Sequence, residues 1–216
     1  MNNTSSAYGL WPLVITNTVM FAAFIFSFSR PRSSRDWRSF GALSAFLVAL
    51  FTEMYGIPLT IYALSGWLQK VSPDADLLSH ENGHLWQALL GFQIDPHLNP
   101  LHLISTGLIV SGFLLLAAAW KVLYKAQRTD TLATGGPYRY IRHPQYTAFI
   151  LIMLGLLLQW PTLLTLLMFP VLVTMYVRLA RREEREMRNE FGDVYGHYAE
   201  RTPAIVPRLA PARSVA

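Results

Sequence analysis

The chain has 216 residues, 52% hydrophobic and only 14% charged, with a formal net charge of +5 and no cysteine. A soluble domain of this size carries about a quarter charged residues, so the deficit, with apolar residues gathered in long uncharged blocks, reads as a membrane protein. Without cysteine there can be no disulfide, thiolate metal site or cysteine nucleophile, and several spans leave no room for a second domain, so 1–216 is taken as one integral-membrane domain.

Met1 to Gly9 is polar and uncharged, and the first span follows at Leu10 to Ser29 with Pro12 near its start. Positive charge comes after this block, at Arg30, Arg32, Arg35 and Arg38, the reverse of a secretory signal. By the positive-inside rule the N-terminus lies outside. The second span, Phe40 to Leu68, is interrupted, with Glu53 mid-span ahead of Gly56 and Pro58. An acid at that depth is costly unless paired or hydrated, and the Gly-x-Pro break frees carbonyls that must meet protein or water. Two readings stand: a protonated structural glutamate beside a kink, or a functional group in an acceptor pocket or cation site.

Gln69 to Pro100 is polar, with one lysine against Asp74, Asp76, Glu81 and Asp95, which places it outside. It holds His80, His84 and His97, with His102 just beyond, and His80-Glu81-Asn82-Gly83-His84 matches the zinc-protease spacing. That chemistry needs both imidazoles on one helix face and a third ligand, whereas Asn82-Gly83 is a turn-forming pair. The expectation is therefore loop histidines capping a short interfacial helix at Leu85 to Leu90, with no metal site; whether His80, Glu81 and His84 bind a metal is left open.

The third span, Leu101 to Leu123, runs inward, since Lys121, Lys125, Arg128, Arg139 and Arg142 follow it. Gly135 to Tyr146, GGPYRYIRHPQY, is then a cytoplasmic loop running into an apolar stretch. Pro144 sits where a helix begins, so free backbone N–H groups and the positive end of a helix dipole lie beside Arg142 and His143, an anion site in prospect. The alternative is a membrane-proximal turn whose arginines only obey the charge bias. Ala148 to Gln159, lengthened by starting at Pro144, and Thr162 to Val177 form a hairpin joined at Trp160-Pro161. The expected fold is all-α and polytopic, with about five transmembrane helices.

Beyond Val177 the sequence RLARREEREMRNEFGDVYGHYAERTPAIVP continues as an amphipathic cytoplasmic helix, and Arg208 to Ala216 as a flexible tail. Glu183 and Glu184 fall about one turn past the membrane surface. Taken alone they suit a solvated helix laced with pairs such as Glu184 and Arg188. The antiparallel hairpin, however, brings His143-Pro144 and Glu183-Glu184 together with Tyr138, Tyr140, Tyr146, Phe191, Tyr195 and Tyr198. Such a cleft suits a ligand with a carboxylate, a cation and an aromatic base.

GGPYRYIRHPQY followed by EEREMRNEFGDVYGHY resembles the isoprenylcysteine carboxyl methyltransferase and phospholipid methyltransferase superfamily, whose members share GPY-x-x-x-RHP-x-Y and EE-x-x-L-x-x-x-FG-x-x-Y-x-x-Y segments. The resemblance covers about Leu132 to Pro207. It implies S-adenosylmethionine held cytoplasmically by Tyr138, Arg142, His143, Pro144, Tyr146, Glu183, Glu184, Tyr195 and Tyr198. It also implies a lipophilic or lipid-anchored acceptor, with membrane lipid and no nucleic acid as partners; the residues themselves suggest Arg178 or Glu53 as the group that would orient the acceptor's head. Three positions depart from the pattern. Met187 replaces leucine, Ala148 replaces glycine, and Ala204 stands where many members have an arginine, which weakens the case for a carboxyl acceptor. The rival readings are an NADPH-dependent sterol-reductase-like enzyme and a metal-handling or transport protein.

Overall fold

A computed structural model of the chain describes residues 8–28, 34–71 and 100–207. Arg30, Arg32, the histidine-bearing stretch with His80, Glu81, His84 and His97, the helix expected at 85–90 and the tail from 208 lie outside the described residues. Those described are all-helical, without strands. In chain order they form α1 (Trp11–Phe28), α2 (Ser34–Phe51) ending in a π turn (Thr52–Gly56), α3 (Leu59–Val71), α4 (Pro100–Thr129), a 3₁₀ turn (Gly136–Arg139), α5 (Pro144–Gln159) and α6 (Leu163–Arg201). Asp36–Gly56, Pro100–Thr129 and Leu163–Arg201 are long and apolar enough to cross a membrane, while Trp11–Ser27 and Pro144–Gln159 are apolar but shorter. At 1.5 Å per residue α5 is about 24 Å long, under the roughly 30 Å hydrocarbon core.

The second predicted span needs correction. It is a helix that stops at Gly56 and a separate short helix from Leu59, not one kinked crossing, so Glu53 lies in the last turn of its helix rather than mid-span. Pro58 is the cause: the residue before a proline is pushed out of the helical region, and Ile57 is extended at φ −122°, ψ 110°. The freed carbonyls find protein, as Tyr55 O accepts from Leu10 N and Gly56 O from Gly9 N, both at 2.9 Å. A Cβ on Gly56 would come within 3.3 Å of the Trp11 ring, a tight contact that the ring would have to yield to by a few tenths of an ångström.

Glu53 is buried, and its Oε2 accepts from Thr60 N at 2.8 Å. Thr60 Oγ1 accepts in turn from Leu163 N at 2.7 Å, which ties the start of α6 to the α2–α3 corner. Thr162 caps α6, accepting from Thr165 N at 3.1 Å.

Helices α4 and α5 touch through small residues. A Cβ on Gly112 would meet Ile152 Cγ1 at 2.7 Å and Ala148 O at 3.1 Å; one on Gly155 would meet Ile109 Cγ1 at 2.7 Å and Ser105 O at 2.8 Å. Between lipid-immersed helices hydrophobicity gives no preference for protein over lipid, so close backbone contact is what holds them. Ala148 sits in this seam fully buried.

Beside the seam an aromatic column crosses the bundle. Phe40 packs on Trp120 and Phe149, with centroids at 5.5 and 5.3 Å, and Phe149 stacks on Tyr176 at 5.4 Å. The Tyr176 hydroxyl donates to Ser39 O at 3.0 Å, binding α6 to α2. Each aromatic pair adds about 0.5–1.5 kcal/mol beyond its burial.

Candidate functional site

The site is built where α5 begins and the apolar part of α6 ends. From Leu163 to its break at Gly192, α6 runs about 44 Å, well beyond the roughly 30 Å of a hydrocarbon core. Its uncharged run ends at Val177, so Glu183 and Glu184 stand clear of that core. His143 lies between them: Nδ1 is 3.3 Å from Glu183 Oε2 and Nε2 is 3.3 Å from Glu184 Oε1. The imidazole is 3% exposed. Burial, the largest single influence, pulls its pKa down, but its interactions with Glu183 and Glu184 together outweigh it and raise the pKa above the ordinary histidine value. Glu184 responds in the opposite sense: its hydrogen bond to His143, then Arg142, outweigh desolvation and hold its carboxyl at about 2. Only Nε2 is aligned for a hydrogen bond, to Glu184, while Nδ1 faces Glu183 without one, so it is the two carboxylates flanking the ring that favour an imidazolium.

Arg142 is committed to structure. Its Nε and Nη2 donate to Glu184 Oε1 at 3.0 and 2.5 Å, and its Nη1 donates to Ala199 O at 2.7 Å and to Thr202 O. The main chain of the same loop holds the segment after α6, with Arg142 N donating to Pro203 O at 2.8 Å and His143 N to Ala204 O at 3.0 Å. Thr147 Oγ1 adds a bond to Ile205 O at 2.8 Å. Of the helix-start amides expected to be free for an anion, Tyr146 N and Thr147 N both close onto His143 O, while the amides of Arg142 and His143 just ahead of them hold 203–204.

The segment reaches the loop because α6 breaks at Gly192, where φ is +51° and ψ is −127°, a conformation open essentially only to glycine. Past the break Tyr198 donates its hydroxyl to Tyr138 O at 2.7 Å. Tyr138 in turn donates to Gln145 Oε1 at 3.1 Å, and Gln145 Nε2 reaches Glu183 Oε2 at 3.4 Å.

A cavity of about 270 Å³ opens against this network. Of the sequence-selected residues, Tyr138, Arg142, His143, Glu183, Tyr195 and Tyr198 line it. Glu184, Pro144 and Tyr146 stand behind the lining: Pro144 is fully buried, and Tyr146 stacks between His143 and Tyr176 with centroids 5.7 Å from each. The remaining two are not brought together with the rest. Arg178 opens on a separate groove on the far side of α6, and Glu53 is fixed at the opposite end of the bundle, where α6 starts.

Sequence reasoning missed one wall. Helix α4 runs six residues past the expected Leu123, and its end supplies Ala126 and Gln127 to the lining, with Asp130 in the turn just after it, while α6 adds Glu190 and Met187. The polar helix-forming run Lys121 to Arg128 was the available signal. Tyr195, only 2% exposed, keeps a hydroxyl with no hydrogen-bond partner among the described residues.

Residues 99–194 match the family described as phospholipid methyltransferase. The match takes in α4, ahead of the segment that carries the motifs, and leaves the first helices of the chain outside it. The chain is 33% identical over 110 residues to the cobalt-zinc-cadmium resistance protein CzcN of Cupriavidus metallidurans, covering 50% of each. It is 35% identical over 119 residues to the nickel-cobalt-cadmium resistance protein NccN of Alcaligenes xylosoxydans xylosoxydans, covering 51% of this chain and 55% of that protein. The protein-S-isoprenylcysteine O-methyltransferase of Schizosaccharomyces pombe is 31% identical over 89 residues, 41% of this chain and 38% of that enzyme. The chain thus spans about half the length, or less, of the curated relatives it matches. No solved structure matches.

Proposed function

We propose that the chain is an integral-membrane methyltransferase using S-adenosylmethionine on a lipophilic or lipid-anchored acceptor, with the cavity beside His143 facing the cytoplasm. The observation that carries this reading is the lining itself, which sets Asp130, Glu183 and Glu190 among Tyr138, Phe191, Tyr195 and Tyr198. A ligand with a sulfonium, an ammonium and an adenine ring fits acids beside aromatic faces. Glu183 and Glu190 would take the cationic and hydroxyl groups, the tyrosines the adenine, and the unpartnered Tyr195 hydroxyl a polar edge. NADPH fits poorly, because two like charges 4 Å apart repel by about 4 kcal/mol at an effective dielectric of 20. Its phosphates would meet three carboxylates, with Arg142 already spent.

Bound there, S-adenosylmethionine supplies an already activated methyl group, so the chain's task is to position and exclude water. His143 fixes Glu183 and holds its proton between two acids, which makes it an orienting group rather than a base. A carboxylate or thiolate acceptor needs no base; a protonated amine would have to find one at Glu190 or Asp130. The lysines and arginines around 121–142 support a cytoplasmic position for this end of the bundle under the positive-inside rule.

A second reading is favoured by the names of the two bacterial relatives, which attach metal resistance to similar proteins. Thermal stabilisation of the purified protein by S-adenosylhomocysteine, NADPH and Zn²⁺ separates the readings, since a ligand at 100 times its Kd adds about 2.7 kcal/mol. We expect S-adenosylhomocysteine alone to raise the Tm, and Glu183→Gln to abolish that rise. Stabilisation by NADPH or Zn²⁺ alone would replace the proposal with the corresponding rival.

A further inference from the structure

On the side of α6 turned away from the cavity, a groove of about 720 Å³ is lined by Arg38 of α2 and by Arg178, Arg181, Arg182 and Arg185 of α6. All five arginines are exposed, and among the described residues none makes an ion pair or side-chain hydrogen bond. The contrast with Arg142, whose guanidinium is committed to a carboxylate and two carbonyls, is sharp. Arg178 with Arg182, and Arg181 with Arg185, are like-charged pairs at i, i+4, a spacing that weakens a helix. Below the arginines the groove is floored by Leu172 and Met175, which belong to the apolar, span-forming part of α6. Charge and floor together describe the occupant: an anion at the head, hydrocarbon beneath it.

We propose that this groove is a binding site for an anionic phospholipid, its phosphate diester held by the guanidinium forks and its acyl chains lying along Leu172 and Met175. Guanidinium suits the task because its planar donors match phosphate oxygens in pairs. Neutralisation by the phosphate also removes the i, i+4 repulsion, so the lipid stabilises this turn of α6. The site is separate from the cavity and does not depend on methyl transfer, so it stands or falls independently of the proposed activity.

The test uses the full chain in a neutral detergent, with lipid binding read by native mass spectrometry and by Tm. Phosphatidylglycerol, phosphatidylcholine and inorganic phosphate are compared. Retained phosphatidylglycerol adducts and a raised Tm are expected, with neither lipid adducts nor a Tm rise from phosphatidylcholine or from inorganic phosphate. Each arginine removed should weaken phosphatidylglycerol binding about five-fold, corresponding to about 1 kcal/mol per basic residue near an anionic headgroup. Arg182→Gln/Arg185→Gln should therefore lose about 25-fold, and Arg38→Gln, on a different helix, about five-fold. Lysine at positions 182 and 185 should keep more of the affinity than glutamine, which guards against a mere folding defect. Equal binding of phosphatidylcholine, an equal Tm rise with inorganic phosphate, or unchanged phosphatidylglycerol binding in the glutamine variants would each overturn the proposal.

Discussion

Arg142→Lys separates the role of charge from that of shape. Lysine keeps the positive charge and can still meet Glu184, but a single ammonium cannot also reach Ala199 O and Thr202 O, which the guanidinium bonds through Nη1. Hydrogen bonds from charged groups contribute about 1.5–3 kcal/mol each. The side chain is 14% exposed and Glu184 22%, so water recovers part of the loss, leaving about 2–3 kcal/mol. That energy docks the segment after Gly192 onto the loop and does not hold the membrane helices together. At tenfold per 1.4 kcal/mol, the undocked population should rise about 30- to 150-fold. Peptide-resolved deuterium exchange reads this directly, because Arg142 N and His143 N are protected only by Pro203 O and Ala204 O. Their exchange should accelerate by that factor while amides of α5 around Ile152 keep their rates. Unchanged exchange at 142–143, or equal acceleration throughout α5, would refute the reasoning.

Gly192→Ala forces a side chain into a glycine-only conformation and should cost about 1–3 kcal/mol by thermal denaturation, whereas Gly196→Ala, in a helical conformation with open space at its Cβ, should cost nothing or stabilise slightly. Gly155→Ala drives a methyl to 2.8 Å from the Ser105 carbonyl and should lose about 1–3 kcal/mol, with Gly66→Ala, facing open space, as the neutral control. Docking of the 202–205 segment should also depend on pH, followed by the same exchange measurement. The depressed Glu184 pKa contributes stability above its ordinary value of 4.5 that is lost as pH falls towards 2. The raised His143 pKa contributes stability that is full below 6.5 and lost as pH rises through its folded value. Protection should therefore be greatest between pH 4.5 and 6.5 and fall on the alkaline side, and His143→Gln should remove the alkaline limb.

Much of the helical order was legible because it rests on local chemistry: apolar blocks, Pro144 at a first helical position, and Trp160-Pro161 at a turn. The meeting of His143 with Glu183 and Glu184 was legible too, because an antiparallel hairpin leaves its two open ends side by side. The end of the second span was not, because the choice between a kink and a stop at Gly56-Ile57-Pro58 is made by Gly9 and Leu10, which take the freed carbonyls. Arg142 looked like a ligand-binding arginine since nothing local reveals that Ala199 and Thr202 will claim it. Gly192 passed as one residue of a helix, for the glycine letter does not say which φ it adopts. The small residues Ser105, Gly112 and Gly155 carry meaning only as a pair of facing surfaces.

Every attachment of residues 193–205 described above lands on the ten residues from Tyr138 to Thr147, and none on a membrane helix other than the first turn of α5. The arm can therefore come loose as one cooperative piece while insertion, expression level and helix content stay as they were. Substitutions in this region would escape any screen that counts only properly delivered protein. They would show themselves to a probe of the cavity, which loses Tyr195 and Tyr198 from its rim whenever the clasp lets go.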